Sequence, residues 1–213
     1  MPVKDLASIL KLAPVIPVIV IERLEDAVPL GQALARGGLP VLEVTLRTPV
    51  ALAAIQAMRR AIPEAVVGAG TLTRPEDFKA CMQVDAQFAV TPGLTPKLVA
   101  AAAKAAFPLL PGVMTPTELI AARGAGFNIC KLFPAQQAGG VPMLKALHGP
   151  FPDARFCPTG GITRQNAPEF LALPNVLCVG GSWVVPNAVV QARDWAAIEL
   201  LARDAAGLAR THG

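Results

Sequence analysis

Short apolar segments recur along the chain, and stretches with helical spacing separate them. Eight segments are β-branched, apolar or end on glycine, and their starts lie 20 to 27 residues apart. That interval accommodates one strand, one helix and two short loops. The eight segments are VIPVIVI (15–21), PVLEVTL (40–46), AVVGAGT (65–71), FAVTPG (88–93), PLLPGV (108–113), NICKLFP (128–134), RFCPTGG (155–161) and VLCVGGS (176–182). Strands that alternate with helices imply parallel pairing through right-handed crossovers.

Helix start and stop signals lie in the intervals between these strands. The stretch LEDAVPLGQALARGG ends on Gly37 and Gly38, which is a helix stop signal. Pro75 opens the next such interval as a favoured first helical residue, and the stretches TPKLVAAAAKAA and TPTELIAARGAG repeat a proline start. The intervals are therefore predicted to be helices.

Eight strand–helix units without a linker or a compositional break favour one (β/α)₈ TIM barrel, an α/β fold in a single domain of residues 1–213. Its strands are expected within about 15–182, followed by a C-terminal helix over about 189–210. An open doubly wound sheet would also satisfy the alternation. The first turn reads VIERLED, however, and lacks the GxGxxG pattern of dinucleotide-binding sheets.

The composition predicts a core-rich protein without a membrane span. The chain is 53% hydrophobic and 16% charged, yet no run of about 18 apolar residues occurs. The stretch LAPVIPVIVI (12–21) contains Pro14 and Pro17 and lacks a small-residue cleavage site, so we interpret it as the first strand. A cytoplasmic location is expected.

The charged and metal-binding residue types narrow the possible functions. The net charge is +4, without a basic block, so nucleic acid is not an expected partner. Four cysteines form no CxxC pair, and only two histidines occur. Reduced core cysteines and no metal site are therefore expected.

Strand alternation places an acid and an amine in the predicted barrel interior. In VLEVTLR, the residues Glu43 and Arg47 share one face, while the alternate residues are apolar and suit packing on helices. In NICKLFP, Lys131 and Phe133 share a face, and Cys130 faces the helices with its alternate neighbour. Glu43 and Lys131 are therefore expected to point into one interior, near the strand ends where barrel enzymes have their active sites.

Two interpretations of this pair compete. A buried Glu43–Lys131 ion pair could be structural, but desolvation offsets most of its attraction. Alternatively, the apolar setting and the nearby Arg47 disfavour the ammonium form, and a neutral amine can form a Schiff base with a carbonyl compound. Glu43 would then carry the protons that this reaction requires.

Glycine pairs at the ends of the last two predicted strands indicate an anion site. Backbone N–H groups in CPTGGI (157–162) and CVGGS (178–182) can converge on a phosphate, as happens after strands seven and eight of many barrels. The glycines could instead only permit tight turns. Thr71 could bind a substrate carboxylate beside Arg47, or be a plain turn residue.

These motifs together resemble the 2-keto-3-deoxy-6-phosphogluconate (KDPG) aldolase family, bacterial class I aldolases of the Entner–Doudoroff pathway. The resemblance runs from about Pro14 to Pro186 and rests on the ordered set EVTLRT (43–48), VGAGT (67–71), TPGLT (91–95), KLFPA (131–135), CPTGGI (157–162) and GGSW (180–183). Cys130 and Leu132 stand where related sequences more often carry aromatic residues, and QQAGG (136–140) varies.

The resemblance implies a (β/α)₈ barrel that assembles as a homotrimer and uses no metal or organic cofactor. It implies cleavage of a phosphorylated 2-keto acid to pyruvate and glyceraldehyde 3-phosphate, with a second activity on 4-hydroxy-2-oxoglutarate plausible. Lys131 would be the Schiff-base lysine and Glu43 the proton shuttle. The implied substrate-binding residues are Arg47 and Thr71 for the carboxylate, Gly160, Gly161, Gly181 and Ser182 for the phosphate, and Pro92, Phe133 and Thr159 in the pocket wall.

Three alternatives stay open from the sequence. An aldolase specific for the 6-phosphogalactonate epimer would share the same motifs. A phosphate-binding isomerase or epimerase would keep the glycine loops and use Glu43 as a base, while Lys131 forms no imine. A non-enzymatic binding barrel is the third, although interior charges are costly for binding alone.

Overall fold

The computed structural model describes residues 5–105 and 107–209, so both ends of the predicted 1–213 domain lie outside the described residues. Strands and helices alternate as the sequence predicts. The strands are β1 Val15–Ile19, β2 Val41–Thr45, β3 Val66–Gly70, β4 Ala89–Val90, β5 Leu109–Leu110, β6 Gly112–Val113, β7 Ile129–Leu132, β8 Arg155–Pro158 and β9 Val179–Gly181. The helices are α1 Leu6–Leu10, α2 Leu24–Arg36, α3 Ala51–Ala61, α4 Pro75–Gln83, α5 Pro96–Ala102, α6 Pro116–Gly124, α7 Gly140–His148, α8 Ala167–Leu171, α9 Asn187–Gln191 and α10 Trp195–Ala206.

The strands of the described residues form two parallel sheets. One has the order β5-β4-β3-β2-β1-β9, and the other has the order β6-β7-β8. Since β1 to β5 follow one another in chain order, the larger sheet lacks the reversal of order that a doubly wound sheet has. The predicted α/β fold with parallel strands is confirmed, and the sheet is curled. The predicted closed eight-stranded (β/α)₈ barrel is not shown, because the strands of the described residues form two sheets.

Pro111 separates the two sheets on one side, and we call this break the Pro111 seam. The segment 108–113 was expected to be one strand, but β5 pairs with β4 and β6 pairs with β7. Proline has no N–H to donate to a strand ladder, so pairing changes partners there. On the other side, isolated parallel bridges join Phe156 to Val176 and Thr159 to Gly180.

Side chains of the strands alternate between two core layers. Leu42 and Val44 of β2 belong to the larger layer, which includes the apolar faces of the helices. Val41 belongs to a smaller inner layer. Cys130 and Leu132 of β7 lie in the outer layer, which confirms that they face the helices. The residues that alternate with them therefore point inward.

The short helix α1 packs against the inner layer. Its N-cap is Asp5, whose side chain accepts a hydrogen bond from the Ser8 N–H at 3.0 Å. Ile9 and Leu10 are buried in the inner layer. The apolar contact of α1 thus covers one end of the strands. The polar residues at the opposite strand ends remain available to form a functional site.

The C-terminal region differs from the prediction of one helix over about 189–210. Two helices, α9 and α10, occupy its described part, and residue 210 lies outside the described residues. Arg193 between them has a φ of 57°, which is incompatible with a continuous helix. Arg193 Nε lies 2.9 Å from the Asp26 carboxylate, which also pairs with Arg23 at 2.7 Å. The Arg193–Asp26 pair holds the α9–α10 junction against the start of α2.

All four cysteines are buried. Burial raises the pKa of the Cys81 and Cys130 thiols to about 12, so these two stay protonated at neutral pH. Among the described residues, no helix is both long and apolar enough to cross a membrane.

Candidate active site

The amine of Lys131 and the carboxylate of Glu43 meet in the interior between the two sheets. Lys131 Nζ lies 3.8 Å from Glu43 Oε1, and the two side chains are only 5% and 3% exposed. This separation exceeds a normal hydrogen bond. Glu43 Oε1 has no hydrogen-bond partner among the described residues. The two groups are therefore within ion-pair distance but not hydrogen-bonded to each other, and Glu43 Oε1 can accept a hydrogen bond from a third molecule.

Gly70 makes room for the Glu43 side chain. The two residues lie on neighbouring strands, and a Cβ at position 70 would stand 2.7 Å from Glu43 Cγ and 2.8 Å from its Cδ. Thr45, two residues after Glu43, donates its hydroxyl to the Ile19 carbonyl at 2.9 Å and so ties β2 to β1. Packing against Gly70 thus helps to position the acid, whose Oε1 accepts no hydrogen bond from the part of the chain that the structure describes.

A cavity of about 620 Å³ opens beside this pair. Seven of the predicted site residues line it: Arg47, Phe133, Thr159, Gly160, Gly161, Gly181 and Ser182. Lys131 and Glu43 do not line the cavity itself. Phe133 lines the cavity, and the centroid of its ring lies 4.7 Å from Lys131 Nζ. Phe133 therefore connects the buried pair to the open space.

The loop after β8 has the geometry of an anion site. Gly160 and Gly161 have φ values of 100° and 74°, which favour glycine strongly. The carbonyls of Thr159 and Gly160 accept hydrogen bonds from the Ala135 and Gln136 N–H groups. Among the described residues, no acceptor is found for the N–H groups of Gly160 and Gly161. These donors can therefore serve a ligand in the cavity.

Gly180 and Gly181, which lie within β9, are required for packing. A Cβ at Gly180 would stand 2.9 Å from Thr159 Cγ2, and one at Gly181 would collide with the Trp183 ring. Close packing thus requires both glycines, while the neighbouring Ser182 remains exposed at the cavity with its hydroxyl.

Arg47 and Thr71 form the second polar group of the site. Arg47 Nε donates to Thr71 Oγ1 at 3.3 Å. Thr71 has a φ of 65°, a strained backbone conformation for a β-branched residue, and such strain clusters at functional sites. Among the described residues, the hydrogen bond found for the Arg47 side chain uses Nε, so its terminal guanidinium nitrogens can bind a carboxylate.

Pro92 lies apart from the cavity wall, and the sequence missed several residues that form it. Pro92 follows β4, and its backbone closely approaches Gly112 of β6. Val18, Val20 and Glu22 line the cavity along one face of the first strand and beyond its end. Strand alternation could have identified them. Asn187 of α9 also lines the cavity, but the predicted C-terminal helix began after it.

The chain matches the family model described as KDPG and KHG aldolase over residues 6–201. The KHG/KDPG aldolase of Escherichia coli (strain K12) is 50% identical over 198 residues, which cover 93% of each chain. The 2-dehydro-3-deoxy-phosphogluconate aldolase of Dickeya dadantii (strain 3937) is 49% identical over 198 residues, again 93% of each chain. A crystal structure of KDPG aldolase from Legionella pneumophila, with pyruvate captured at low pH as a covalent carbinolamine intermediate, has a TM-score of 0.93 and 48% identity. That match covers 94% of this chain and 98% of the other.

The chain has a curled parallel α/β fold in which a buried amine and acid lie beside a cavity lined by a glycine loop. Together with these matches, this arrangement defines an aldolase, a carbon–carbon lyase. The chain belongs to the KDPG and KHG aldolase family. The resemblance inferred from the motifs is confirmed, and the alternatives of an isomerase, an epimerase or a non-enzymatic barrel are set aside.

Proposed function

We propose that this chain cleaves 2-keto-3-deoxy-6-phosphogluconate to pyruvate and D-glyceraldehyde 3-phosphate through a Schiff base on Lys131. The observation that carries the proposal is the buried Lys131 amine, 3.8 Å from the Glu43 carboxylate and beside a cavity with an anion-binding loop. A buried amine next to a proton carrier is the arrangement that imine chemistry with a ketone requires.

In the first half of the reaction, the neutral Lys131 amine attacks carbon two of the keto acid and forms a carbinolamine. Protonated Glu43 gives its proton to the carbinolamine hydroxyl, which leaves as water, and the nitrogen becomes a positively charged iminium. Glu43 is then a carboxylate again, which can act as a base in the next step.

In the second half, the Glu43 carboxylate takes the proton of the 4-hydroxyl group. The bond between carbons three and four breaks, its electron pair moves toward the iminium, and the aldehyde product and a neutral enamine form. Glu43 returns the proton to carbon three, which regenerates an iminium. Addition of water to the iminium then releases pyruvate and the free amine, and the Glu43 carboxylate takes up the proton that this hydrolysis frees, which restores its starting state.

The remaining site residues receive binding roles in this proposal. Arg47 and Thr71 would hold the carboxylate of the keto acid, since their hydrogen bond leaves the guanidinium fork free for it. Gly160, Gly161, Gly181 and Ser182 would hold the phosphate, and Phe133 and Thr159 would shape the pocket. Pro92, which does not line the cavity, would act only through its backbone contact with Gly112 of β6.

Activity on 4-hydroxy-2-oxoglutarate is a second proposed reaction. It shares the keto-acid end that Arg47 and Lys131 would engage, and it has no phosphate. The name of the Escherichia coli relative, KHG/KDPG aldolase, supports this second activity.

We also propose that the two sheets close into one (β/α)₈ barrel that forms a single domain. The bridges of Phe156 to Val176 and of Thr159 to Gly180 support closure on one side. The hydrogen bond from the Lys131 N–H to the Pro111 carbonyl, 2.8 Å, supports it at the Pro111 seam. A homotrimeric assembly and a cytoplasmic location remain predictions.

Trapping with borohydride and pyruvate tests the main proposal. Reduction of the iminium should leave a stable adduct on the peptide that contains Lys131, detected by mass spectrometry. Lys131→Met should abolish the adduct and the release of pyruvate, whereas the exposed Lys145→Met should retain both. Glu43→Gln should slow turnover severely. An adduct absent from the parent chain, or retained in Lys131→Met, would contradict the proposal.

Parallel turnover assays define the substrate. The gluconate substrate should be cleaved faster than its galactonate epimer, and 4-hydroxy-2-oxoglutarate should be cleaved with a higher KM because it lacks the phosphate. Preference for the galactonate epimer would refute the proposed specificity while leaving the Schiff-base chemistry intact.

A further inference from the structure

We propose that Phe133 is a catalytic residue of the proposed Schiff-base reaction, in which the face of its ring stabilises the positive charge on the Lys131 nitrogen. The inference rests on the proposed function and extends it, because Phe133 would otherwise be only part of the pocket wall. It assigns the ring an electrostatic task at the reacting atom.

The geometry of this contact meets the requirements of a cation–π interaction. Lys131 Nζ lies 4.7 Å from the centroid of the Phe133 ring, within the range of about 6 Å over which a ring face attracts a cation. Alternation places the two side chains on the same inward side of the strand. The Lys131 side chain is only 5% exposed, and cation–π contacts are strongest when water is excluded.

Few other groups near the Lys131 nitrogen can compensate its charge. From β2, the Glu43 carboxylate approaches to 3.8 Å, longer than a hydrogen bond. From β6, Gly112 is the register neighbour and has no side chain. From β8, the Cys157 thiol is the neighbour in the ladder. Arg47, beyond the end of β2, adds a positive charge at the cavity. The carboxylate is thus the one anionic group that the described residues pair with this amine.

The Glu43 carboxylate alone cannot balance the charge of the Lys131 nitrogen throughout the reaction, because it also transfers protons. In the transition states of dehydration and of carbon–carbon cleavage, a proton is in transfer between Glu43 and the substrate. The carboxylate charge is then partly neutralised, while the nitrogen is partly positive. An aromatic ring neither gains nor loses a proton at any pH of interest, so its attraction for the cation persists through these steps. The ring takes no part in bond making or breaking.

Fluorinated phenylalanines at position 133 test this role in the full-length chain with little change of size. The 4-fluoro, 3,5-difluoro and 3,4,5-trifluoro side chains progressively withdraw electron density from the ring face and weaken cation–π attraction. The measured quantity is the pyruvate concentration that gives half-maximal borohydride-trapped adduct on Lys131, determined across a range of pH.

The expected result has a distinctive pH dependence. In alkaline solution the free amine is neutral and only the iminium is charged, so the half-maximal concentration should rise stepwise, by about tenfold for the trifluoro ring. In acid the free amine already carries a proton. The charge is then present before and after imine formation, and the effect of fluorine should shrink toward none.

Matched controls separate electrostatics from packing. The same fluorinated series at Phe170, a core residue of α8 that is 1% exposed, should leave adduct formation unchanged at every pH. A series at Phe133 with no effect, or with the same loss at every pH, would overturn the inference, since the second pattern indicates packing alone. If the parent chain forms no adduct, the proposed function fails as well, so the two failures are distinguishable.

Discussion

A methyl group added at Gly70 would enter the space that the Glu43 side chain occupies. The added carbon would lie nearest to Glu43 Oε1 and 2.7 Å from Glu43 Cγ, whereas ordinary contacts begin at 3.4 Å, so the side chain must move by at least about 0.7 Å. The backbone of β3 tolerates alanine, because Gly70 is not among the residues with positive φ. The substitution Gly70→Ala therefore perturbs the position of one carboxylate and little else.

The size of the effect follows from how proton transfer depends on geometry. A misplacement of about 1 Å can cost about a hundredfold in rate, so we expect kcat for Gly70→Ala to fall by about 10- to 100-fold. Overpacking should also lower the free energy of unfolding by about 1–3 kcal/mol.

Initial rates of pyruvate release and urea unfolding measure the two effects. Gly124→Ala is the matched control, because nothing lies within 4 Å of a Cβ at that helical position. It should keep full activity and equal or greater stability. A Gly70→Ala variant with the parent kcat and the parent free energy of unfolding would show that Gly70 does not position the acid, and the reasoning would fail.

Two further predictions concern stability. Asp26→Ala removes the carboxylate that Arg23 and Arg193 share, so it should lower the free energy of unfolding by about 2 kcal/mol. The control Glu25→Ala, at an exposed position, should lower it by less than about 0.5 kcal/mol. Equal losses of the two variants in urea titrations would contradict this prediction. Although burial acts to raise it, hydrogen bonds from the Met114 and Thr115 N–H groups and the Thr115 hydroxyl hold the pKa of Glu118 below its ordinary value of 4.5. A lowered pKa means that the charged carboxylate stabilises the fold above its ordinary pKa and that this contribution disappears as the pH falls through the lowered value. The stability deficit of Glu118→Gln should therefore be constant near neutral pH and vanish in acid, and a deficit that persists in acid would refute the assignment.

The sequence predicted the alternation of strands and helices because periodicity and proline positions are local signals. Thr95 and Thr115 cap α5 and α6, each directly before the proline that opens the helix. The pairing across Pro111 was not predicted, since a segment of apolar residues does not reveal which neighbour each half joins. The break between α9 and α10 at Arg193 was missed because an arginine with positive φ has no sequence signature.

The inward direction of Glu43 and Lys131 was predictable because it depends only on strand alternation. Their separation of 3.8 Å was not, since they lie on β2 and β7, far apart in the chain and in different sheets. Conversely, Glu22 could have been assigned to the cavity by continuing the alternation of β1 beyond Val20. Sequence patterns thus predict which way each side chain of a strand points. The distances between side chains on different strands depend on how the strands pack in the fold.

The Lys131 amine and the Glu43 acid belong to different sheets, on opposite sides of the Pro111 seam. This arrangement affects how the protein loses activity when it is destabilised. Their spacing depends on the alignment of two sheets that are joined on one side only by isolated bridges and on the other side by the chain at Pro111. A small slip between the sheets would therefore separate the two groups without unfolding either sheet. Turnover should then be lost at a lower temperature or denaturant concentration than the secondary structure measured by circular dichroism.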